Sequence, residues 1–192
     1  MFSQSTIFTS FKFLIACIYF FLPAYFANMT PPIAKKIRIF DFLAKPVDFN
    51  KKFLGKPIFG SHKTWRGIIL AFFVGFLTSL AQKALYGFEF FREFSIIDYS
   101  KINIFLFGIL ISLGEIFGDL FFAFIKRRIG LKPGAPFIPF DQTNYVFGCF
   151  FLLQPYLNLN LKIWLTILVS TFFLHIIFNR LGYYLKIHQA KW

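Results

Sequence analysis

The chain is short of charge, of cysteine and of the motifs that mark common soluble enzymes. Charged residues make up 15% of its 192 positions, against about 25% in an ordinary soluble domain. So little charge excludes an extensive solvated surface. The two cysteines, Cys17 and Cys149, both fall in apolar runs, where they read as core or lipid-facing residues rather than a disulfide. No His/Cys cluster has the spacing of a zinc site. His62, His175 and His188 stand far apart in sequence and read as structural. There is no Gly-x4-Gly-Lys phosphate loop, no nucleic-acid-binding motif, no internal repeat and no low-complexity linker. A single domain over residues 1–192 is expected. The first apolar run lacks a small-residue cleavage site after it and is followed by Pro31-Pro32 and basic residues, unlike a signal peptide.

What the chain does have is apolar surface. Hydrophobic residues reach 57%, mean hydropathy is +0.64, and Phe occurs 33 times. A soluble core of this size cannot hide so many rings, whereas lipid accepts them. A membrane span needs about 20 apolar residues, and five runs approach that: residues 7–29, 67–85, 102–125, 145–161 and 163–181. Lys12 sits near the start of the first and can snorkel. Only a short turn around residues 158–162 separates the last two, which are expected to form a hairpin. The expected fold is an all-α integral membrane protein with about five transmembrane helices.

The charges between these runs set an orientation. Residues 30–66 carry Lys35, Lys36, Arg38, Lys45, Lys51, Lys52, Lys56, Lys63 and Arg66. Residues 126–144 carry Lys126, Arg127, Arg128 and Lys132, and the tail carries Arg180, Lys186 and Lys191. Across residues 82–101, Lys83, Arg92 and Lys101 balance Glu89, Glu93 and Asp98. The positive-inside rule puts both basic loops and the C-terminus in the cytoplasm and the N-terminus outside, as an odd number of spans requires. The net charge of +13 then reflects this bias and contact with anionic membrane lipids, not a nucleic-acid partner.

Three polar features interrupt the apolar pattern. Asp119 lies four residues after Glu115, and Lys126 seven after Asp119, so all three share one helical stripe. Carboxylates within a span are costly and usually functional; the alternative is a structural ion pair with a neighbouring helix. Second, Ser61-His62-Lys63-Thr64-Trp65-Arg66-Gly67 stands at the mouth of the second run. Ser61 or Thr64 can cap that helix, and Lys63 with Arg66 suggests a phosphate clamp. The alternative is a basic end lying on lipid headgroups. Third, a Pro/Gly-rich loop follows Lys126-Arg127-Arg128 and ends in Asp141-Gln142-Thr143-Asn144. Asp141 is the one acid there. Near phosphates a lone Asp suits Mg2+; otherwise Asp141 caps the fourth helix.

Taken in order, these features resemble a known family. Pro23-Ala24-Tyr25 with Ala27-Asn28, Asp48-Phe49, the stretch from Ser61 to Gly67, Gly118-Asp119, Phe124-Ile125-Lys126-Arg127-Arg128, Gly130-Leu131-Lys132-Pro133-Gly134 and Asp141-Gln142 together resemble the CDP-archaeol synthase family. The likeness runs from Pro23 to Gly148. More distantly, Gly118-Asp119-Leu120, Lys126-Arg127, Gly130, Lys132 and Asp141 are similar to the signature of phosphatidate cytidylyltransferases.

The resemblance implies a five-span enzyme of the inner (cytoplasmic) membrane with its site facing the cytoplasm. It would join CTP to a lipid phosphate, phosphatidate-like or an archaeal-type ether lipid, with Mg2+ as cofactor and pyrophosphate as by-product. It implies catalytic roles for Asp119, Asp141, Lys126 and Arg127, with Asp119 and Asp141 as metal ligands. Asn28, Asp48, Ser61, Lys63, Thr64, Arg66, Glu115, Lys132, Gln142 and Asn144 become substrate-binding candidates. The chain departs from the family pattern at Asn50, where Gly is common, at Ala123, where Ser is common, and at Asn144, where a second Asp is expected.

Two other classes compete. A small transporter would use the intramembrane carboxylates as a proton relay, but no inverted repeat is present. A non-catalytic scaffold for anionic lipids draws support from the missing acid at Asn144.

Overall fold

Each of the five apolar runs folds as one long helix. The structure is a computed structural model that describes the backbone over residues 4–186 and side chains from residue 10. His188 and Lys191, read above as a structural histidine and a tail cation, lie outside the described residues. The helices are α1 (Gln4–Ile37), α2 (Trp65–Leu85), a short α3 (Glu89–Glu93), α4 (Ile104–Arg128), α5 (Phe140–Leu157) and α6 (Leu161–Tyr184). The fold is all-α. Its only strands among the described residues form a two-residue antiparallel hairpin, β1 (Lys52–Phe53) with β2 (Lys56–Pro57).

Local sequence explains most of the helix ends. Thr64, Asn103 and Asn160 each precede a helix in extended conformation and accept a backbone N–H from its first turn, which satisfies a donor with no intrahelical partner. Asn158 closes α5 in the left-handed region, a conformation Asn tolerates well, and the expected α5–α6 hairpin follows. Lys126, Arg127 and Arg128 extend α4 past its expected end at residue 125, where cations complement the helix dipole. Helix α1 also continues past residue 29, through Pro31 and Pro32. Prolines are tolerated in membrane helices because neighbours re-satisfy the freed backbone groups.

One expected boundary is corrected. The helix of the fourth apolar run, α5, starts at Phe140, not residue 145. Asp141, Gln142, Thr143 and Asn144 therefore belong to its first two turns, not to a loop. Among the described residues, four helices are long and apolar enough to cross a membrane. Helix α5 gives its first turns to polar residues that are mostly buried against protein.

Contacts at the helix ends show alternating directions. At one end Lys12 pairs with Glu93 at 3.1 Å, Lys162 lies over Phe13, and the Tyr156 hydroxyl meets the backbone of Asn103. At the other, Lys36 donates to the Leu185 carbonyl, and both basic loops converge. Phe20, Phe21, Tyr99, Phe107, Ile111, Cys149 and Leu153 fill the centre of the bundle with no exposure. Phe73, Phe105, Phe121, Phe151 and Phe173 face outward, the arrangement expected where hydrocarbon replaces water.

Candidate active site

Glycine sets the geometry at the basic end. Gly114 and Gly118 on α4 face Gly148 on α5. A Cβ on Gly148 would overlap the Gly114 carbonyl and lie 2.6 Å from the Gly118 nitrogen. A Cβ on Gly118 would overlap the Asn144 carbonyl. Such small-residue seams let membrane helices approach backbone to backbone. The seam sets Asp119, next to Gly118, against α5: the Asn144 side-chain amide donates to Asp119 at 3.3 Å. Two turns along α4, Lys126 reaches Asp141 at the start of α5.

Two lysine–carboxylate pairs result. The Lys63 ammonium stands 2.6 Å from both oxygens of Asp119. The Lys126 ammonium stands 2.8 Å from both oxygens of Asp141. Asp141 also accepts the backbone N–H of Phe137 at 2.7 Å. It therefore anchors the preceding loop instead of capping α5, whose N-cap position is Pro139. Between the pairs lies Arg127, which is 4% exposed. Its guanidinium donates to the Lys132 carbonyl at 3.2 Å, and its Nε has no partner. Among the described residues Arg127 makes no ion pair within 4 Å, and a buried cation held so loosely is costly, so this one is suited to an anion.

All of these side chains line one cavity of about 210 Å3, together with His62, Gln142, Asn144, His175 and Asn179. Lys63, Lys126 and Arg127 set three cations there against the two carboxylates. The buried Gln142 Oε1 has no hydrogen-bond partner. Partial desolvation, then the charges of Lys35, Lys63, Arg127 and Lys126, push the His62 imidazole below its ordinary value. That favours the neutral imidazole, which can both donate and accept a hydrogen bond.

The rim on the α2 side is held by Asp48. Its carboxylate accepts backbone N–H groups from Asn50 at 3.0 Å and from Phe59 and Gly60 at 2.9 Å. Burial opposes its ionisation, but these donors prevail and hold it below the usual carboxylate range. Gly60 has φ +95°, and a Cβ there would crowd Pro133 and the Arg127 guanidinium. Only glycine fits this contact with the 133–136 loop without strain.

The structure divides the residues singled out from sequence. Lys63, Asp119, Lys126, Arg127, Asp141, Gln142 and Asn144 converge on the cavity. Arg66 does not join Lys63 in a clamp; it is buried and paired with Asp41. Thr64 is the cap of α2, and Ser61 is exposed. Asp48 shapes the rim from behind. Asn28 donates to Glu115 at 3.1 Å, one helical turn deeper than Asp119, and Glu115 is buried at 3% exposure. Lys132 offers its carbonyl to Arg127 while its side chain is exposed. His62 and His175, read from sequence as structural, also line the cavity, as does Asn179, which the sequence reading did not single out. The spacing of His175 and Asn179, four apart on α6 and hydrogen-bonded at 3.1 Å, was the available signal.

The donor set suits a hard cation. Mg2+ takes oxygen ligands, commonly one or two carboxylates completed by water and phosphate. Asp119 and Asp141 supply two, and each already holds an ammonium by both oxygens. Among the described residues no three of His, Cys, Asp and Glu converge; Mg2+ held by these carboxylates would take its other ligands from water and phosphate.

Comparisons with known proteins find relatives along nearly the whole chain. The CDP-archaeol synthase of Pyrobaculum islandicum is 30% identical over 179 residues, covering 91% of this chain and 98% of the relative. That of Pyrococcus furiosus is 32% identical over 181 residues, covering 93% and 98%. A solved structure, described as an intramembrane enzyme for archaeal membrane lipids biosynthesis, superposes with a TM-score of 0.67 at 22% identity. It covers 84% of this chain and 91% of its own, and shares the fold. A family model described as "CarS-like: CDP-archaeol synthase" matches residues 10–192. By these matches the chain belongs to the CDP-archaeol synthase family.

Proposed function

We propose that the protein transfers the cytidylyl group of CTP to a lipid phosphate at the cytoplasmic face of the inner membrane. The products are a CDP-activated lipid and pyrophosphate. One observation carries this reading: two lysine–carboxylate pairs and a buried arginine that belongs to neither pair meet in one cavity at the basic end of a membrane bundle. The names of the relatives point to an archaeol-type lipid phosphate as acceptor.

An oxygen of the lipid phosphate attacks the α-phosphorus of CTP, and the bond from that phosphorus to the β-phosphate bridging oxygen breaks. No protein nucleophile is needed, so catalysis consists of positioning and charge neutralisation. Lys63, Lys126 and Arg127 hold phosphate oxygens of both substrates and stabilise the charge passing to pyrophosphate. Asp119 and Asp141 would hold Mg2+. A bound Mg2+ supplies Lewis-acid neutralisation of the triphosphate. Gln142, Asn144 and His62 add neutral hydrogen bonds around the nucleotide. The short-side-chain seam keeps Asp119 and Asp141 at fixed separation, and the lipid tails remain between the helices.

The test is transfer of label from CTP, marked at the α-phosphorus, into the lipid fraction by purified, reconstituted protein. A panel of lipid phosphates, including archaeol-type ether and phosphatidate-type ester forms, defines the acceptor. The expected result is transfer that requires both acceptor and Mg2+, with equimolar pyrophosphate. Asp141→Asn is expected to lose about two to three orders of magnitude in turnover while folding normally. Absence of transfer to every acceptor by protein that still binds CTP would overturn the reading.

A further inference from the structure

The loop between α1 and α2 carries a surface that phosphoryl chemistry does not need. It exposes Ile39, Phe40, Phe42, Phe49, Phe53 and Leu54, with Phe42 at 72% and the hairpin tip Leu54 at 81%. None of these belongs to a span. Lys45, Lys51 and Lys52 stand among them, exposed and with no acid in ion-pair range among the described residues. The loop's two acids are already engaged, Asp41 by Arg66 and Asp48 by three backbone N–H groups. Its uncompensated charge is therefore positive.

The hairpin is held in a defined place. Arg128, at the end of α4, donates to the carbonyls of Phe53, Lys56 and Pro57, and Lys56 returns a bond to the Arg128 carbonyl at 2.8 Å. The Arg128 guanidinium stacks over Phe53 and over Phe124 of α4, at 5.3 and 4.9 Å from the ring centroids. Phe49 packs on Trp65, the first residue of α2. The anchor rings thus sit at the ends of the membrane-length helices α2 and α4, and the ends of such helices are where Trp and Tyr normally meet the headgroups.

Exposed aromatics and unpaired lysines at that depth complement one partner, an anionic lipid surface. We propose that the β1–β2 hairpin docks on the anionic leaflet, with Phe53 and Leu54 in the acyl boundary and Lys51 and Lys52 on headgroup phosphates. Through Arg128 the docked hairpin fixes the end of α4, and with it Lys126 and Arg127, at the depth of lipid phosphates. Only this last consequence rests on the proposed reaction.

The test is positional. Leu54→Cys carries an environment-sensitive fluorophore; the native Cys17 and Cys149 are fully buried. The labelled protein is reconstituted in phosphatidylcholine with or without phosphatidylglycerol. The expected result is blue-shifted emission, quenched by brominated lipid, in the anionic bilayer. Lys51→Gln with Lys52→Gln should weaken that response by about fivefold per lysine. Emission quenched by aqueous iodide in both bilayers overturns the proposal. So does equal shielding in both with no response to the lysine changes. Shielding that follows the protein-to-lipid ratio would assign the surface to a second copy and overturn it too. The probe reads position without turnover, so a failed transfer assay and a failed docking assay are separate results.

Discussion

Asp48 and Asp141 are acids of the same loops-and-ends region, yet they do different work. Asp141 faces the cavity and shares its carboxylate between Lys126 and the Phe137 N–H. Asp48 faces backbone only. That difference was not legible in sequence: backbone N–H partners leave no residue signature, so Asp48 read as a pocket residue. The lysine partner of Asp141 was legible, because the basic cluster and the lone acid bracket one loop. The pairing of Arg66 with Asp41 was not, because a 3-10 turn at Asp41–Leu43 brings that acid back to α2. Asp48 also makes a pH-dependent contribution. Its folded-state carboxyl lies below the usual range, so its stabilisation is present above the unfolded value near 4. It is lost as pH falls through the lower folded value. Asp48→Asn should therefore melt at lower temperature than wild type near neutral pH, with the gap closing as the medium becomes acidic. Thermal unfolding of both proteins across that range checks this; a gap independent of pH would contradict it.

Helices were the most legible level, because long apolar runs between charges have few other solutions in lipid. The element that sequence reading placed poorly was the start of α5. Its first turns are polar, and hydropathy cannot distinguish a polar loop from a polar helix turn buried against α4. The seam explains both the burial and the site. Gly114 and Gly118 stand at the four-residue spacing of a small-residue helix interface, a signal present in the sequence and not used. A methyl group at Gly148 has nowhere to go, since its contacts are the Gly114 carbonyl and the Gly118 backbone. Gly148→Ala should force α4 and α5 apart and cost about a hundredfold in turnover, the scale of a misplacement near 1 Å. Gly87→Ala, whose Cβ would make only an ordinary 3.6 Å contact, is the control and should leave turnover unchanged. Equal activity in the two variants would remove the seam from the positioning argument.

For the whole molecule, alternating helices put residues 38–64 and 129–139 at one end and Glu93 at the other. The charge asymmetry gives that arrangement its expected sense. Single cysteines at Lys52 and Lys132 should label from the cytoplasm, and one at Glu93 from outside. Labelling of Lys52 and Glu93 from the same side would contradict five crossings. Under the proposed mechanism the cavity is an ion exchanger already loaded with its own counterions. Lys63 occupies Asp119 and Lys126 occupies Asp141. An arriving polyphosphate that draws the two ammoniums away strips both carboxylates of their cations at once. Anion uptake and cation uptake are then two halves of a single exchange, and each must raise the affinity for the other by the same factor.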